Sequence, residues 1–344
     1  LSICGNSFWN YEKAPIKVIK NQLYPTPLAS ICFHLIFCQV HRNIPEIFCL
    51  KRKICQHLIK KTFGMKAILV PTDFSETADN AIDYAANLAV FIKSKLILFH
   101  VFSIPVLVSE IPLTTTPEDE QLEERSNGQL KIIAEAIRKK HDPNLIVEFL
   151  STAGSVSAEI SNTAKENNCD LIVMGTHGLA GMNRFFGSDT AEVIKHTGSD
   201  VLVIPREVKF IKIDKIVLTL DFRALQNVSV FNPLIELASL FDSEIMILNV
   251  EDNQIHNALE KEEEGIHLEK IFKNIKHTYW FNEQKNMADA INEFATDKHA
   301  VMIVMIKRHH NLLEQLFTQS NTKVMALHTH LPLLVLQEEA DNKI

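Results

Sequence analysis

The chain has 344 residues, 46% of them hydrophobic and 22% charged, with a formal net charge of −7; it exceeds the usual size of one hydrophobic core, so two domains are expected. No stretch reaches the roughly 18 consecutive apolar residues that cross a bilayer, because Ile31–Val40 is broken by His34 and Gln39. Nine Lys/Arg against two Glu give residues 1–64 a charge of +7 and leave −14 for residues 65–344, a balance that argues against nucleic acid as ligand, since a phosphate backbone needs a basic face.

Five of the six cysteines (Cys4, Cys32, Cys38, Cys49, Cys55) lie in residues 1–64, with 27, 5, 10 and 5 residues between them. These gaps match no zinc-ligand spacing. Around Ala14-Pro15-Ile16-Lys17 there is neither the single apolar core nor the small-residue cleavage site of a secretory signal. The segment reads as translated sequence upstream of a start at Met65, with a disordered or weakly helical basic tail as the alternative.

From Met65 onward, short apolar runs alternate with amphipathic segments. Lys66–Val70 reads as a strand ending in Pro71-Thr72-Asp73; Ser75 is placed to cap a helix carrying Ala78, Ile82, Ala85, Ala89 and Ile92 on one face. Strand Lys95–Val101, a charged helix over about Glu118–Lys140 and strand Leu145–Leu150 follow, then a helix over about Ser155–Asn167. Strand Leu171–Met174, a glycine-spaced turn, a helix over about Asp189–His196 and strand Val201–Ile204 close the unit. Strict alternation with near-continuous apolar strands implies a parallel sheet covered on both faces, hence a doubly wound α/β fold. Ligands in such sheets sit beyond the carboxyl ends of strands where strand order reverses, and Asp73 and Gly175 both lie just past a strand end.

A second copy begins after a short linker, roughly Pro205–Lys212. Lys215–Leu220 with Asp221-Phe222 repeats Lys66–Thr72 with Asp73-Phe74, the nine residues 242–250 repeat 93–101, Met302–Ile306 corresponds to Leu171–Met174, and residues 328–336 align with 196–204. The expected architecture is two tandem five-stranded, Rossmann-like domains over residues 65–206 and 213–338.

Residues Gly175–Ser188 read GTHGLAGMNRFFGS. Glycines between a buried strand and a helix start let backbone N–H groups approach a phosphate. Together with Val70-Pro71-Thr72-Asp73-Phe74-Ser75, Met174-Gly175-Thr176-His177-Gly178 and Gly187-Ser188 ahead of a final Val-Leu-Val-Ile strand, this turn resembles the universal stress protein family in its tandem form, over about Met65–Leu336. Nucleotide-binding members have nine residues between the second glycine and the Gly-Ser/Thr pair; here eight separate Gly178 from Gly187. The resemblance implies that Gly178, Gly187 and Ser188 hold the phosphates of ATP or ADP, that Gly175 neighbours the ribose, and that Pro71, Thr72, Asp73 and Val101 border the adenosine end. Met174 and His177 belong to the same turn. One missing residue displaces later N–H groups by up to about 3.5 Å, so either the loop re-forms its cradle or affinity falls.

In the second copy the glycines are gone: aligning the helix and final strand puts Lys307 at Gly175, His310 at Gly178 and Gln319 at Gly187, with Ser320 at Ser188. The second half is therefore expected not to bind ATP in the manner of the first. Lys307-Arg308-His309-His310 reads as a solvated basic loop, with an anion or metal site as the alternative. Asp73 could coordinate Mg²⁺ between phosphates or cap the helix that follows. His177 could touch phosphate or act as an acid, but no Ser, Cys or carboxylate is placed beside it as a triad would suggest. Cys169 reads as a packed or partly exposed thiol, with no partner to suggest redox work. There is no GxxxxGK[ST] loop and no GxGxxG, which leaves P-loop ATPase and dehydrogenase chemistry unsupported.

The resemblance implies a cytoplasmic stress-response or signalling protein in which nucleotide occupancy changes conformation or partner choice, any hydrolysis being slow or incidental. It also implies that the halves pair through their final strands as a pseudo-dimer, with a homodimer of the whole chain left open and the protein partners unspecified. The rival readings are a nucleotide-independent interaction module and an adenylate-forming enzyme, although the HxGH and SGGxDS signatures of the latter are absent.

Overall fold

A computed structural model describes residues 64–103, 117–176, 188–220, 227–250, 258–282, 287–307 and 330–338. All of the basic segment except Gly64 lies outside them. The first half runs β1 (Ala67–Pro71), α1 (Glu76–Ile92), β2 (Lys95–Phe102), α2 (Pro117–Lys140), β3 (Val147–Ala153), α3 (Val156–Glu166), β4 (Leu171–Thr176), α4 (Ser188–His196) and β5 (Asp200–Pro205). The second runs β6 (Lys215–Leu220), a 3₁₀ turn (Val228–Phe231), α5 (Asn232–Phe241), β7 (Glu244–Val250), α6 (Ala258–Ile271), β8 (Lys276–Asn282), α7 (Met287–Asp297), β9 (Met302–Lys307) and β10 (Leu333–Gln337).

The strands form one ten-stranded sheet in the order β3-β2-β1-β4-β5-β10-β9-β6-β7-β8. Alternating side chains feed two apolar layers, as a sheet buried on both faces requires. Ile68, Val70, Leu96 and Leu98 pack under α1 and α2, and their counterparts Ile216, Leu218, Ile245 and Ile247 under α5 and α6. Leu69, Ile97, Phe99 and Ile172 face α3 and α4, while Val217, Met246 and Ile303 face α7. Strand order reverses between β1 and β4 in the first half and between β6 and β9 in the second.

The duplication is visible bond by bond. Helix α1 ends in Lys93 at φ 60° and α5 in Asp242 at φ 53°. Side chains enter this left-handed region at a cost of about 1–2 kcal/mol, and here the turn brings the next residue straight into a strand. In both halves that residue is serine: Ser94 Oγ donates to the Met65 carbonyl at 2.5 Å, and Ser243 Oγ to that of Ile213. A second matched joint follows α3 and α7, where Asn168 (φ 49°) and His299 (φ 55°) turn the chain; the Asp170 amide then bonds Ala67 O and the Val301 amide Lys215 O, each at 3.0 Å.

These joints fix the alignment of the halves more tightly than composition does. Ile68 pairs with Leu171 and Ile216 with Met302, so Ile306 stands at Gly175 and Lys307 at Thr176, a correction of one residue to the alignment read from sequence. Strand β3 also starts later than expected: the Asp142 carboxylate accepts from the Asn144 amide at 2.8 Å and its carbonyl from the Leu145 amide at 3.1 Å, a local turn that delays the ladder to Val147.

The halves meet at β5 and β10, the antiparallel pair in an otherwise parallel sheet. Val201, Leu202 and Val203 face Val335, Leu334 and Leu333. Val201 is the counterpart of Leu333 and Val203 of Val335, so equivalent residues meet reciprocally, as in a two-fold contact. Across the helical layer Phe91 of α1 stacks on Phe241 of α5, centroids 4.6 Å apart, and Phe210 of the linker meets Tyr84 edge-on at 5.1 Å. Asn80 pins that linker to α1, its Nδ2 donating to Val208 O at 2.8 Å while its Oδ1 accepts from Lys209 Nζ at 2.7 Å.

Helix α1 is further tied to the end of α2 through Asp83, whose carboxylate meets Lys140 and, at 2.9 Å, His141 Nε2. Burial alone would raise the Asp83 carboxyl, but Lys140 and His141 together outweigh it and hold it below the ordinary carboxylate value. A depressed folded-state value means that the contribution is complete above the unfolded pKa, about 3.9, and is lost as pH falls through the folded value. Asp83→Asn is therefore expected to cost about 0.5–1 kcal/mol at neutral pH, as for a solvent-screened pair. Urea titrations should show this deficit shrinking progressively as pH falls below the unfolded value.

Candidate functional site

The carboxyl ends of β1 and β4 flank the point at which strand order reverses, the place where an open α/β sheet leaves a crevice. Strand alternation sorts the described candidate residues onto two faces. Val101, on β2, packs with the Leu69–Phe99 layer, to which Met174 also belongs; Pro71, two residues beyond Leu69, falls on that face too. Pro71 and Val101 are partly exposed whereas Met174 is buried, so the pair offers apolar surface at the lip with Met174 beneath. Thr72 lies on the α1 side.

The chain leaves β1 through a compact turn. The Thr72 amide donates to Phe99 O at 2.8 Å, and its hydroxyl accepts from the Phe74 amide at 3.0 Å. Asp73 Oδ1 accepts from the Ser75 amide at 3.0 Å, while Ser75 Oγ accepts from the Ala78 amide at 3.2 Å and caps α1. The helix cap expected of either residue is thus supplied by Ser75; the Asp73 carboxylate braces the turn ahead of it. Phe74 sits at φ 63°, a conformation costly for an aromatic residue. Its ring lies 4.4 Å from that of His100.

His100 was not a candidate from sequence, yet its Nδ1 bonds the Thr72 carbonyl at 2.7 Å. A carbonyl only accepts, so Nδ1 carries the proton. The second half keeps a version of this brace: Asn249, at the counterpart of His100, donates Nδ2 to Leu220 O at 3.3 Å. The signal was a polar residue at the end of an otherwise apolar strand in each copy, Phe-His-Val and Leu-Asn-Val.

Gly175 takes a different role from the one its place in the motif suggests. Strand β4 continues through Thr176, so Gly175 is inside the ladder, paired with Ile204, and does not occupy the left-handed region. A Cβ there would stand 2.6 Å from the Thr77 carbonyl and 2.9 Å from its methyl. The glycine lets the first turn of α1 lie directly on β4. In the second half Ile306 fills that position and is 5% exposed.

His177, Gly178 and Gly187 lie outside the described residues, as do His310, Gln319 and Ser320. Ser188 is the first residue of α4, where backbone N–H groups lack intrahelical partners. Three carboxylates gather at the start of α1: partial burial, then Asp73 and Glu76, raise the Asp79 carboxyl above its ordinary value, and Arg206 pairs with Glu76. Cys169, the buried thiol before β4, is pushed up to about 11 by burial and is inert near neutral pH. Among the described residues no group of three or more His, Cys, Asp or Glu is arranged to hold a metal ion, and no helix is long and apolar enough to cross a membrane.

A family model described as "Universal stress protein family" matches residues 64–205 and again 212–337. The chain belongs to the universal stress protein family. Universal stress protein MJ0577 of Methanocaldococcus jannaschii is 30% identical over 155 residues, which is 41% of this chain and 96% of that protein. The crystal structure of a universal stress protein from Archaeoglobus fulgidus superposes on both halves, covering 80% of this chain and all of that one, with a TM-score of 0.63 and 17% identity; it supports the fold. Another universal stress protein, 22% identical over 41% of this chain and 97% of its own, with a TM-score of 0.32, was solved in complex with cAMP.

Because the atom nearest a new Cβ at position 175 is main-chain, relief requires α1 to move. Gly175→Ala is expected to destabilise the chain by about 1–3 kcal/mol, measured by urea denaturation, whereas Gly198→Ala, at a position whose Cβ meets nothing within 4 Å, should stay within about 0.5 kcal/mol of wild type.

Proposed function

We propose that the first half binds an adenine nucleotide, ATP or ADP, in the crevice between β1 and β4, and that the second half is a partner that does not bind it. The observation carrying this reading is the braced Thr72–Ser75 turn: two side-chain oxygens, the His100 imidazole and a left-handed Phe74 hold the chain end at the reversal point beside a partly exposed apolar lip of Pro71 and Val101. Such a lip suits one face of a purine. In this reading Pro71, Thr72, Asp73 and Val101 border the adenosine end with Met174 beneath, and backbone N–H groups of Gly178, Gly187 and Ser188 hold the phosphates, with His177 in the same turn. Gly175 acts through packing.

The carboxylates at the start of α1 bear on the cation. Asp73, Glu76 and Asp79 repel a bare triphosphate, with Arg206 offsetting Glu76, so the nucleotide is taken up with Mg²⁺, Asp73 lying nearest the strand end. Nucleotide occupancy then changes conformation or partner choice in the cytoplasm, a signalling role in which hydrolysis is incidental. The reciprocal β5–β10 contact supports reading the chain as a covalent pseudo-dimer.

Isothermal titration of the intact chain with ATP and Mg²⁺ is expected to give one site per chain. Gly178→Val should weaken it at least tenfold, and Ile306→Gly should create no second site. No heat at millimolar ATP would overturn the nucleotide reading in favour of a nucleotide-independent interaction module.

A further inference from the structure

Helix α4 has nine residues and spans about 13 Å at 1.5 Å per residue. Its N-terminal end carries Ser188, and its buried face, Thr190, Val193 and Ile194, is 4% exposed or less. At its C-terminal end the last carbonyls have no partner within the helix, and two of them face groups supplied by the other half. Lys307 Nζ donates to Lys195 O at 2.7 Å, and Gln337 Nε2 stands 3.5 Å from Ile194 O. The Gln337 backbone N–H donates to Asp200 Oδ1 at 2.9 Å, fixing the same corner.

Lys307 ends β9 as Thr176 ends β4. At the place where the first half turns from strand into its glycine loop, the second half carries a long cation whose head crosses the seam. Partial burial lowers the Lys307 ammonium from its ordinary value, so holding the charge there carries a desolvation cost that an exposed lysine would escape. A cation at a helix C-terminus is favoured by the macrodipole as well as by the bond itself.

We infer that Lys307 is a positioning residue through which the second half clamps the back of α4 and thereby sets the register of the helix start at which the first half's ligand phosphates are received. This rests on the nucleotide reading above and gives the degenerate half a task within that site. Close packing of Val193 and Ile194 makes α4 move as a unit, so freeing its C-terminal end loosens its first turn too. Gln337 alone, at 3.5 Å, is too distant to substitute.

The test compares Lys307→Met and Lys307→Arg in the intact chain by hydrogen-exchange mass spectrometry, thermal melting and ATP titration. Met keeps the stem and removes the charge, relieving desolvation, so the melting temperature should hold or rise. Amides of α4 should nevertheless exchange about tenfold faster, those of β9 and β10 should not, and the ATP dissociation constant should rise about three- to tenfold. Arg should restore both. Unchanged α4 exchange in Lys307→Met, faster α4 exchange with unaltered ATP affinity, or failure of Arg to rescue would each overturn the inference. A wild-type chain that binds no nucleotide would end the positioning role together with the site it serves, whatever exchange shows.

Discussion

The antiparallel contact of β5 with β10 is the constraint on which the rest of the molecule depends. It fuses two parallel half-sheets into one and buries the edge that each would otherwise present to solvent. It also fixes the second half about Leu202 and Leu334, and so determines which side chains can cross. Phe91 reaches Phe241 and Lys307 reaches the end of α4 because this pairing permits one relative placement.

Much of the fold was legible in the sequence. Apolar runs of strand length alternating with amphipathic segments identified the doubly wound class, and the repeated Lys-Ser-Lys/Asp-Ser-Glu entries marked the duplication. What composition conveyed less well was local geometry. Asp142 was visible as the end of α2, but not as the centre of a turn that postpones β3 to Val147. The one-residue slip at Lys307 arose because alignment was carried back from the helix and final strand across a connection that is one residue longer in the second half; the hydrogen bonds after Asn168 and His299 place Ile306 opposite Gly175.

At the site, residues defined by backbone chemistry were legible and those defined by contact across the fold were not. Asp73 was marked by standing just past a strand end, while Pro71, Thr72, Val101 and Met174 came with the family resemblance. His100 and Thr77 act on partners 28 and 98 positions away in sequence, Thr72 and Gly175, and no local pattern encodes that. Gly175 shows the difference most clearly, since motif reading credits its missing side chain to a ligand while Thr77 occupies the space.

Covalent linkage changes what each half must do for itself. A separate subunit has to keep its own pairing surface and its own ligand loop under the same sequence, because every copy is identical. In the tandem chain the partner is always present at a high effective concentration set by the short linker, so one half retains the seam while its glycine position passes to Ile306. Asymmetry that a symmetric assembly cannot express is thereby written into a single polypeptide.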